Sequence, residues 1–88
     1  MRGIGGERLA KLAFELAEVF TAKGNYDDAK IQYEQALGDG EKDTALKATI
    51  MERFSKFLRI MKADSQAAEL EFQAKKIRAA LAFTTSVK

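Results

Sequence analysis

The sequence contains no cysteine, histidine, tryptophan or proline. Without cysteine it has no disulfide framework and no thiolate chemistry. Without histidine or cysteine, zinc, haem and iron–sulfur sites lose their main ligands, and the commonest general base is missing too. We therefore expect no metal, no cofactor and no enzymatic activity.

Long apolar runs are also missing. No stretch approaches the ~18 residues that span a bilayer, and Arg2 is not followed by the apolar segment of a secretory signal. We therefore expect a soluble, cytoplasmic protein with no membrane partner. Residues 1–6 hold three glycines and are predicted to form a flexible N-terminal tail, with a second flexible tail at residues 84–88.

The formal net charge of +2 is small, but the charges are unevenly distributed. Residues 1–44 hold six Lys or Arg and nine Asp or Glu, a net charge of −3, whereas residues 45–88 hold nine and four, a net charge of +5. One interpretation is ordinary solvated helix surface. The other is a basic C-terminal half that meets an acidic partner, or the acidic half of a second copy.

Strong helix formers dominate the composition, and apolar residues recur at three- and four-residue steps. Gly24 and Asn25 end the first helical pattern, because both residues tolerate the left-handed conformation found after a helix C-terminus. Asn25 and Asp43 are predicted N-caps, and the third pattern ends at Lys62 without a glycine. The sequence thus predicts four helices, at about residues 7–23, 26–37, 44–62 and 65–83.

The apolar stripes of these helices are predicted to form the core, because each stripe lies on one helix face. The predicted core residues are Leu9, Leu12, Ala13, Leu16, Ala17, Phe20, Ala29, Tyr33, Ala36, Leu37, Leu46, Ile50, Phe54, Phe57, Leu58, Met61, Ala67, Leu70, Ala74, Ile77 and Leu81.

A shift of 38 residues places the second half of the chain on the first, with large residues on large and small on small. We expect Ala17 with Ala29, and Ser55 with Ala67, to be the points where paired helices approach closely. The matched pairs are Leu16 with Phe54, Ala17 with Ser55, Phe20 with Leu58, Ala29 with Ala67, and Ala36 with Ala74.

Residues 16–37 resemble the tetratricopeptide repeat, and residues 67–81 are similar to terminal helices of kinesin-light-chain-like repeats. Lys62 stands where the second repeat would carry its turn glycine, and Glu71 stands where the counterpart of Tyr33 would be. The residues that match the family pattern in the first repeat are Gly24, Tyr26, Ala29, Tyr33, Ala36 and Leu37.

This resemblance implies an all-α fold in which four antiparallel helices form two stacked helix-turn-helix repeats, a fragment of an α-solenoid. The single helical domain would cover residues 7–83, with repeat one at about residues 9–40 and repeat two at about residues 44–81. A generic four-helix bundle is the alternative.

The resemblance further implies a protein–protein interaction module, a scaffold or adaptor that binds a peptide or protein segment in a concave groove. Helical spacing places the corresponding residues beside the apolar stripes, where they are equally compatible with plain solvated surface. The groove residues carried over are Lys11, Phe14, Glu18, Thr21, Thr49, Glu52, Lys56 and Arg59.

Two other functions are compatible with the sequence. One is self-association through the last helix, because Phe72, Ala79, Ala80 and Phe83 lie off its main stripe. The other, which the sequence favours less, is weak nucleic-acid binding through Lys75, Lys76, Arg78 and Lys88, with Phe72 and Phe83 nearby.

Overall fold

The computed structural model describes the backbone of residues 2–39 and 44–87, and the side chains of residues 8–38 and 44–83. These residues form four α-helices and no strand, so the predicted all-α class is confirmed. The helices are α1 (Arg2–Lys23), α2 (Tyr26–Asp39), α3 (Ala45–Ile60) and α4 (Asp64–Val87).

Both outer helices are longer than the sequence predicted. Helix α1 begins at Arg2 rather than near Glu7, and α4 continues to Val87 rather than ending near Phe83. Glycine costs about 1 kcal/mol relative to alanine inside a helix, but extending an existing helix adds one hydrogen bond per residue. The flexibility of the two ends stays a prediction.

The helices pack in two pairs, each forming a compact unit. The first hairpin, α1 with α2, lies in Met1–Lys42, and the second hairpin, α3 with α4, lies in Asp43–Lys88. This division falls between the two predicted repeats. A single domain over residues 7–83 stays a prediction.

The turn of the first hairpin closes α1 through two backbone hydrogen bonds. The Gly24 amide donates to the Thr21 carbonyl at 3.1 Å, and the Asn25 amide donates to the Phe20 carbonyl at 2.9 Å. Gly24 has a φ of +83°, the left-handed conformation expected of a residue that follows a helix C-terminus.

The turn of the second hairpin repeats these bonds 38 residues later. The Lys62 amide donates to the Arg59 carbonyl at 3.0 Å, and the Ala63 amide donates to the Leu58 carbonyl at 2.8 Å. Lys62 has a φ of +66°, so it adopts the left-handed conformation that favours glycine, although it carries a side chain. The repeat seen in the sequence therefore extends to the backbone geometry of the turns.

Helix α3 begins with a side-chain cap. Thr44 has an extended backbone, with φ −112° and ψ 170°, and its hydroxyl oxygen accepts a hydrogen bond from the Lys47 amide at 3.2 Å. This bond satisfies one of the amides that have no partner within the helix. Asp43, the predicted cap, lies outside the described residues.

The core of the first hairpin consists mostly of alanine. Ala17 and Ala29 are fully buried as predicted, and Tyr33 supplies the one large side chain among the buried residues that the structure describes here. Small side chains on both helices allow the backbones to approach closely. The buried residues are Ala10, Ala13, Ala17, Ala29, Tyr33 and Ala36.

Three leucines predicted for this core are not in it. Leu9, Leu12 and Leu16 are 53%, 52% and 47% exposed. At 100° per residue they lie about 100° around α1 from the buried alanines, because each leucine directly precedes one of them. Because α2 packs on the alanine face, it leaves the leucine face uncovered.

The second hairpin has a core of larger side chains. Ser55 and Ala67 are buried as predicted, and the rings of Phe54 and Phe57 lie 6.2 Å apart. Two predicted core residues are exposed: Met61 follows the end of α3, and Leu81 lines an open groove. The buried residues are Ala48, Ile50, Met51, Phe54, Ser55, Phe57, Leu58, Ala67, Ala74 and Ile77.

Candidate functional site

Two of the four predicted groove residues of the first hairpin, Phe14 and Glu18, contact Tyr33. The Tyr33 hydroxyl donates to Glu18 Oε2 at 2.7 Å, and its ring centroid lies 6.4 Å from that of Phe14, with the planes tilted by 49°. Phe14 is half-buried by this contact and is not a protruding anchor. Helix α2 therefore holds two of the predicted residues in place on α1.

The other two predicted residues of α1 differ in their contacts: Thr21 is hydrogen-bonded within the helix and Lys11 is exposed. The Thr21 hydroxyl donates to the Ala17 carbonyl at 2.8 Å, one helical turn back. Lys11 is exposed. Lys11 is therefore the member of this set best placed to meet a partner from solution.

In the second hairpin Arg78 of α4 holds two predicted residues of α3. Its Nε donates to Glu52 Oε2 at 2.7 Å, and its Nη2 donates to Glu52 Oε1 at 3.0 Å and to the Thr49 hydroxyl at 2.9 Å. This is the two-pronged geometry in which arginine binds a carboxylate most strongly.

Arg59 makes the corresponding pair with the helices exchanged. Its Nε donates to Glu71 Oε2 at 3.0 Å and its Nη2 to Glu71 Oε1 at 2.9 Å, while Nη1 lies 3.6 Å from Asp64. Lys56, the last predicted residue of α3, is exposed. Thr49 and Glu52 thus share Arg78 as their partner, whereas Arg59 pairs with Glu71 and lies near Asp64.

These contacts shift the pKa of four groups. Hydrogen bonding from Arg78 is the main cause that lowers the pKa of Glu52; burial opposes it, and the charges of Arg78 and Lys56 lower the pKa further. Hydrogen bonding from Arg59 likewise lowers the pKa of Glu71. The same hydrogen bonds raise the pKa of both arginines, so both pairs stay ionised around neutral pH.

Sequence reasoning missed the residues on α2 and α4 that hold these side chains. Tyr33 and Glu71 are related by the 38-residue shift, and each sends a polar group across its hairpin to the first helix. The signal was present, since Glu71 departs from the repeat pattern at the position of Tyr33. In the first hairpin this position is Tyr33, whose hydroxyl binds Glu18. In the second hairpin it is Glu71, whose carboxylate binds Arg59.

The first hairpin also carries an exposed apolar face, here called the leucine stripe. It consists of Leu9, Leu12, Leu16 and Val19, spaced by three, four and three residues and each about half exposed. Such spacing lines one side of a helix. The stripe is a surface that an apolar partner could cover.

The second hairpin carries an open groove between α3 and α4, with a volume of about 510 Å³. Buried Met51 and Ile77 form its floor, and exposed Phe72 and Leu81 line its side. The polar residues around it include Lys47 and Lys76, and the Lys76 ammonium lies 5.4 Å from the centre of the Phe72 ring. Glu69 and Gln73 line it too, so the groove is apolar inside, and its polar rim carries two lysines and one glutamate.

Most of the α4 residues predicted to mediate self-association or nucleic-acid binding are exposed, but one of them is already paired within the hairpin. Phe72 and Phe83 are 59% and 71% exposed, and Lys75 and Lys76 are exposed as well. Arg78, however, is paired with Glu52. Lys88 lies outside the described residues.

Within the described residues, no cluster of carboxylates could hold a metal ion, and no helix is long and apolar enough to cross a membrane. In comparisons with known proteins, no protein-family model, no curated protein and no solved structure matches the chain. A function has therefore to be argued from the contacts of the chain itself.

Proposed function

We propose that the chain is a protein–protein interaction module, a scaffold or adaptor that binds a peptide or protein segment. Its helix pairs would be two copies of a tetratricopeptide-like repeat. The bond-for-bond correspondence of the two turns, from Gly24 to Lys62 and from Asn25 to Ala63, supports this reading.

One observation carries the interaction role: in both hairpins the second helix fixes polar side chains along the first. Tyr33 holds Glu18, Arg78 holds Glu52, and Glu71 holds Arg59. Side chains already fixed before a ligand arrives lose less entropy when it binds. The polar faces of α1 and α3 are thus suited to recognition.

The charges on these faces favour a segment that carries carboxylates. Lys11 and Lys56 extend from them as exposed cations, and Arg78 compensates the charge of Glu52, whereas Glu18 on the α1 face disfavours a wholly acidic segment. Long-range attraction of this kind speeds the encounter of oppositely charged surfaces. We propose that each hairpin binds acidic side chains through its own exposed lysine, Lys11 on α1 and Lys56 on α3.

Catalysis forms no part of the proposal. Asp27 and Asp28 lie in the first turn of α2, where carboxylates stabilise the helix dipole. Glu69 accepts a hydrogen bond from Gln73 one turn along α4, at 2.9 Å, and Glu71 is paired with Arg59. These four carboxylates thus each have a structural role in α2 or α4.

The test starts from a displayed library of random peptides selected on the wild-type protein, with binding of the enriched peptides measured by fluorescence anisotropy. We expect Lys11→Glu with Lys56→Glu to weaken binding about tenfold or more. The matched control is Lys30→Glu with Lys75→Glu, which changes the same charge on exposed lysines of α2 and α4. Equal weakening by both variants, or no enriched peptide, would contradict the proposal.

Phe14→Ala and Arg59→Ala are less suitable tests of binding. Phe14 packs against Tyr33, and Arg59 is paired with Glu71, so both substitutions also remove contacts within a hairpin. Lys11 and Lys56 are exposed, so their replacement disturbs the fold less.

A further inference from the structure

The leucine stripe is an apolar surface that its own hairpin does not use. Leu9, Leu12, Leu16 and Val19 are between 47% and 53% exposed, whereas the alanines on the neighbouring face of α1 are buried against α2. A face with spacing of three and four residues is the form in which one helix packs against others.

The groove of the second hairpin is a complementary surface. Met51 and Ile77 give it an apolar floor, and Phe72 and Leu81, which helical geometry places on opposite flanks of α4, also line it. A groove between two packed helices is the shape that receives a third helix through its apolar face.

The two surfaces match in length. The leucine stripe runs from position 9 to position 19, about 15 Å along α1 at 1.5 Å per residue. The residues of α4 that line the groove run from Glu69 to Leu81, about 18 Å along the helix, so the groove is long enough to receive the stripe.

Charge decides which surface the leucine stripe would meet on a second copy. The half of the chain that carries the stripe has a net charge of −3, and the half that carries the groove has a net charge of +5. Lys47, Lys76 and Glu69 line the groove, which leaves one net positive charge there, whereas Arg8 and Glu15, both exposed on α1, balance each other beside the stripe. Stripe against stripe would bring two acidic halves together, but stripe against groove joins opposite charges.

We propose that the leucine stripe of one copy docks in the α3–α4 groove of a second copy. The interface is formed by two different surfaces, so each copy offers both a stripe and a groove. The inference rests on the interaction role proposed above, but it uses neither Lys11 nor Lys56.

The test compares the mass of wild-type protein with that of two variants by sedimentation equilibrium across a concentration series. The stripe variant is Leu12→Gln with Leu16→Gln, and the groove variant is Phe72→Gln with Leu81→Gln. All four side chains are exposed, so the folds should survive, which circular dichroism would verify. The control is Ile31→Gln with Ile60→Gln, two equally exposed aliphatic residues outside both surfaces.

We expect wild-type protein and the control to associate, and each test variant alone to associate about tenfold more weakly or worse. An equimolar mixture of the two variants should recover a one-to-one complex, because the stripe of one variant and the groove of the other remain intact. A monomeric wild type, a groove variant that still associates, or a mixture that fails to associate would overturn the inference.

The Lys11→Glu, Lys56→Glu variant separates this inference from the proposed function. It should associate as the wild type does while losing the selected peptides. Peptide binding that persists in a strictly monomeric wild type would leave the proposed function standing and overturn the self-docking inference.

Discussion

The guanidinium of Arg78 donates to both carboxylate oxygens of Glu52 across the second hairpin, at 2.7 and 3.0 Å. Arg59 and Glu71 form the same two-pronged pair, with the arginine now on α3 and the glutamate on α4. On each helix the two charged residues are seven positions apart, about two turns, so both pairs lie along one edge. Both pairs are formed in the same antiparallel alignment of α3 and α4, so together they stabilise that register.

Reversing one of these charges should destabilise the second hairpin, and reversing both should restore it. Glu52→Arg places two cations together, and Arg78→Glu places two anions together, whereas the double variant re-forms an opposite-charge pair. Because the side chains are about 40% exposed, we expect each single change to lower the melting temperature by only a few degrees. A double variant as unstable as the two losses combined would argue against the pairing.

Acid should destabilise the protein through Glu52 and Glu71. Both have a lower pKa in the folded chain because of their arginine partners, so the folded state binds fewer protons than the unfolded state near that pH. The stabilisation is present above the ordinary glutamate pKa of about 4.3 and is lost as the pH falls through the lower folded pKa. Urea unfolding between neutral pH and pH ~3 would measure this slope.

The double variant Glu52→Gln, Glu71→Gln should be less stable at neutral pH. Its free energy of unfolding should fall less steeply between neutral pH and pH ~3, because it lacks the two carboxylates that take up protons there. Glu15→Gln with Glu34→Gln, two exposed carboxylates of the first hairpin, is the matched control. An unchanged acid dependence in the test variant would show that other groups govern acid unfolding.

The same substitution should have opposite effects at two glycines. A Cβ at Gly24 or at Gly38 would meet no atom within 4 Å, so space does not distinguish the positions. Gly24 has a φ of +83°, which costs an alanine about 1 kcal/mol or more, whereas Gly38 lies in the last turn of α2, next to its final residue. We expect Gly24→Ala to destabilise the protein and Gly38→Ala to stabilise it by up to about 1 kcal/mol.

Lys62 provides the reciprocal change, because it already occupies the left-handed conformation at φ +66°. We expect Lys62→Gly to raise the free energy of unfolding by about 0.5–1 kcal/mol, the relief of strain less the entropy that glycine adds to the unfolded chain. Denaturant titration of the wild type and the variant gives the two free energies of unfolding to compare. A loss of stability on Lys62→Gly would mean that the lysine side chain has a stabilising role of its own.

Enlarging the alanine interface should separate the helices of the first hairpin. Ala17 and Ala29 are fully buried, so Ala17→Leu or Ala29→Leu should each cost about 1–3 kcal/mol through overpacking. Ala22 is exposed on the same helix as Ala17, and Ala22→Leu should change the stability by less than about 0.5 kcal/mol. Equal effects at Ala17 and Ala22 would contradict the close approach of α1 and α2.

Helical periodicity in the sequence identified one apolar side of α1 but did not separate its two parts. Ala13 and Ala17 pack against α2, while Leu12 and Leu16 on the adjacent face remain exposed. Hydrophobicity favours leucine as the core residue, but close packing of two backbones favours alanine. The prediction that Leu9, Leu12 and Leu16 lie in the core was wrong for that reason.

By itself the sequence determined the all-α class, the four helices and the 38-residue correspondence that recurs in the hydrogen bonds of the two turns. These follow from local propensity and spacing, which act over a few residues. Only the tertiary structure decided which face of α1 is buried and that Arg78 pairs with Glu52 and Tyr33 with Glu18. Those contacts join positions 15 and 26 residues apart, and they exist only once two helices have settled into one register.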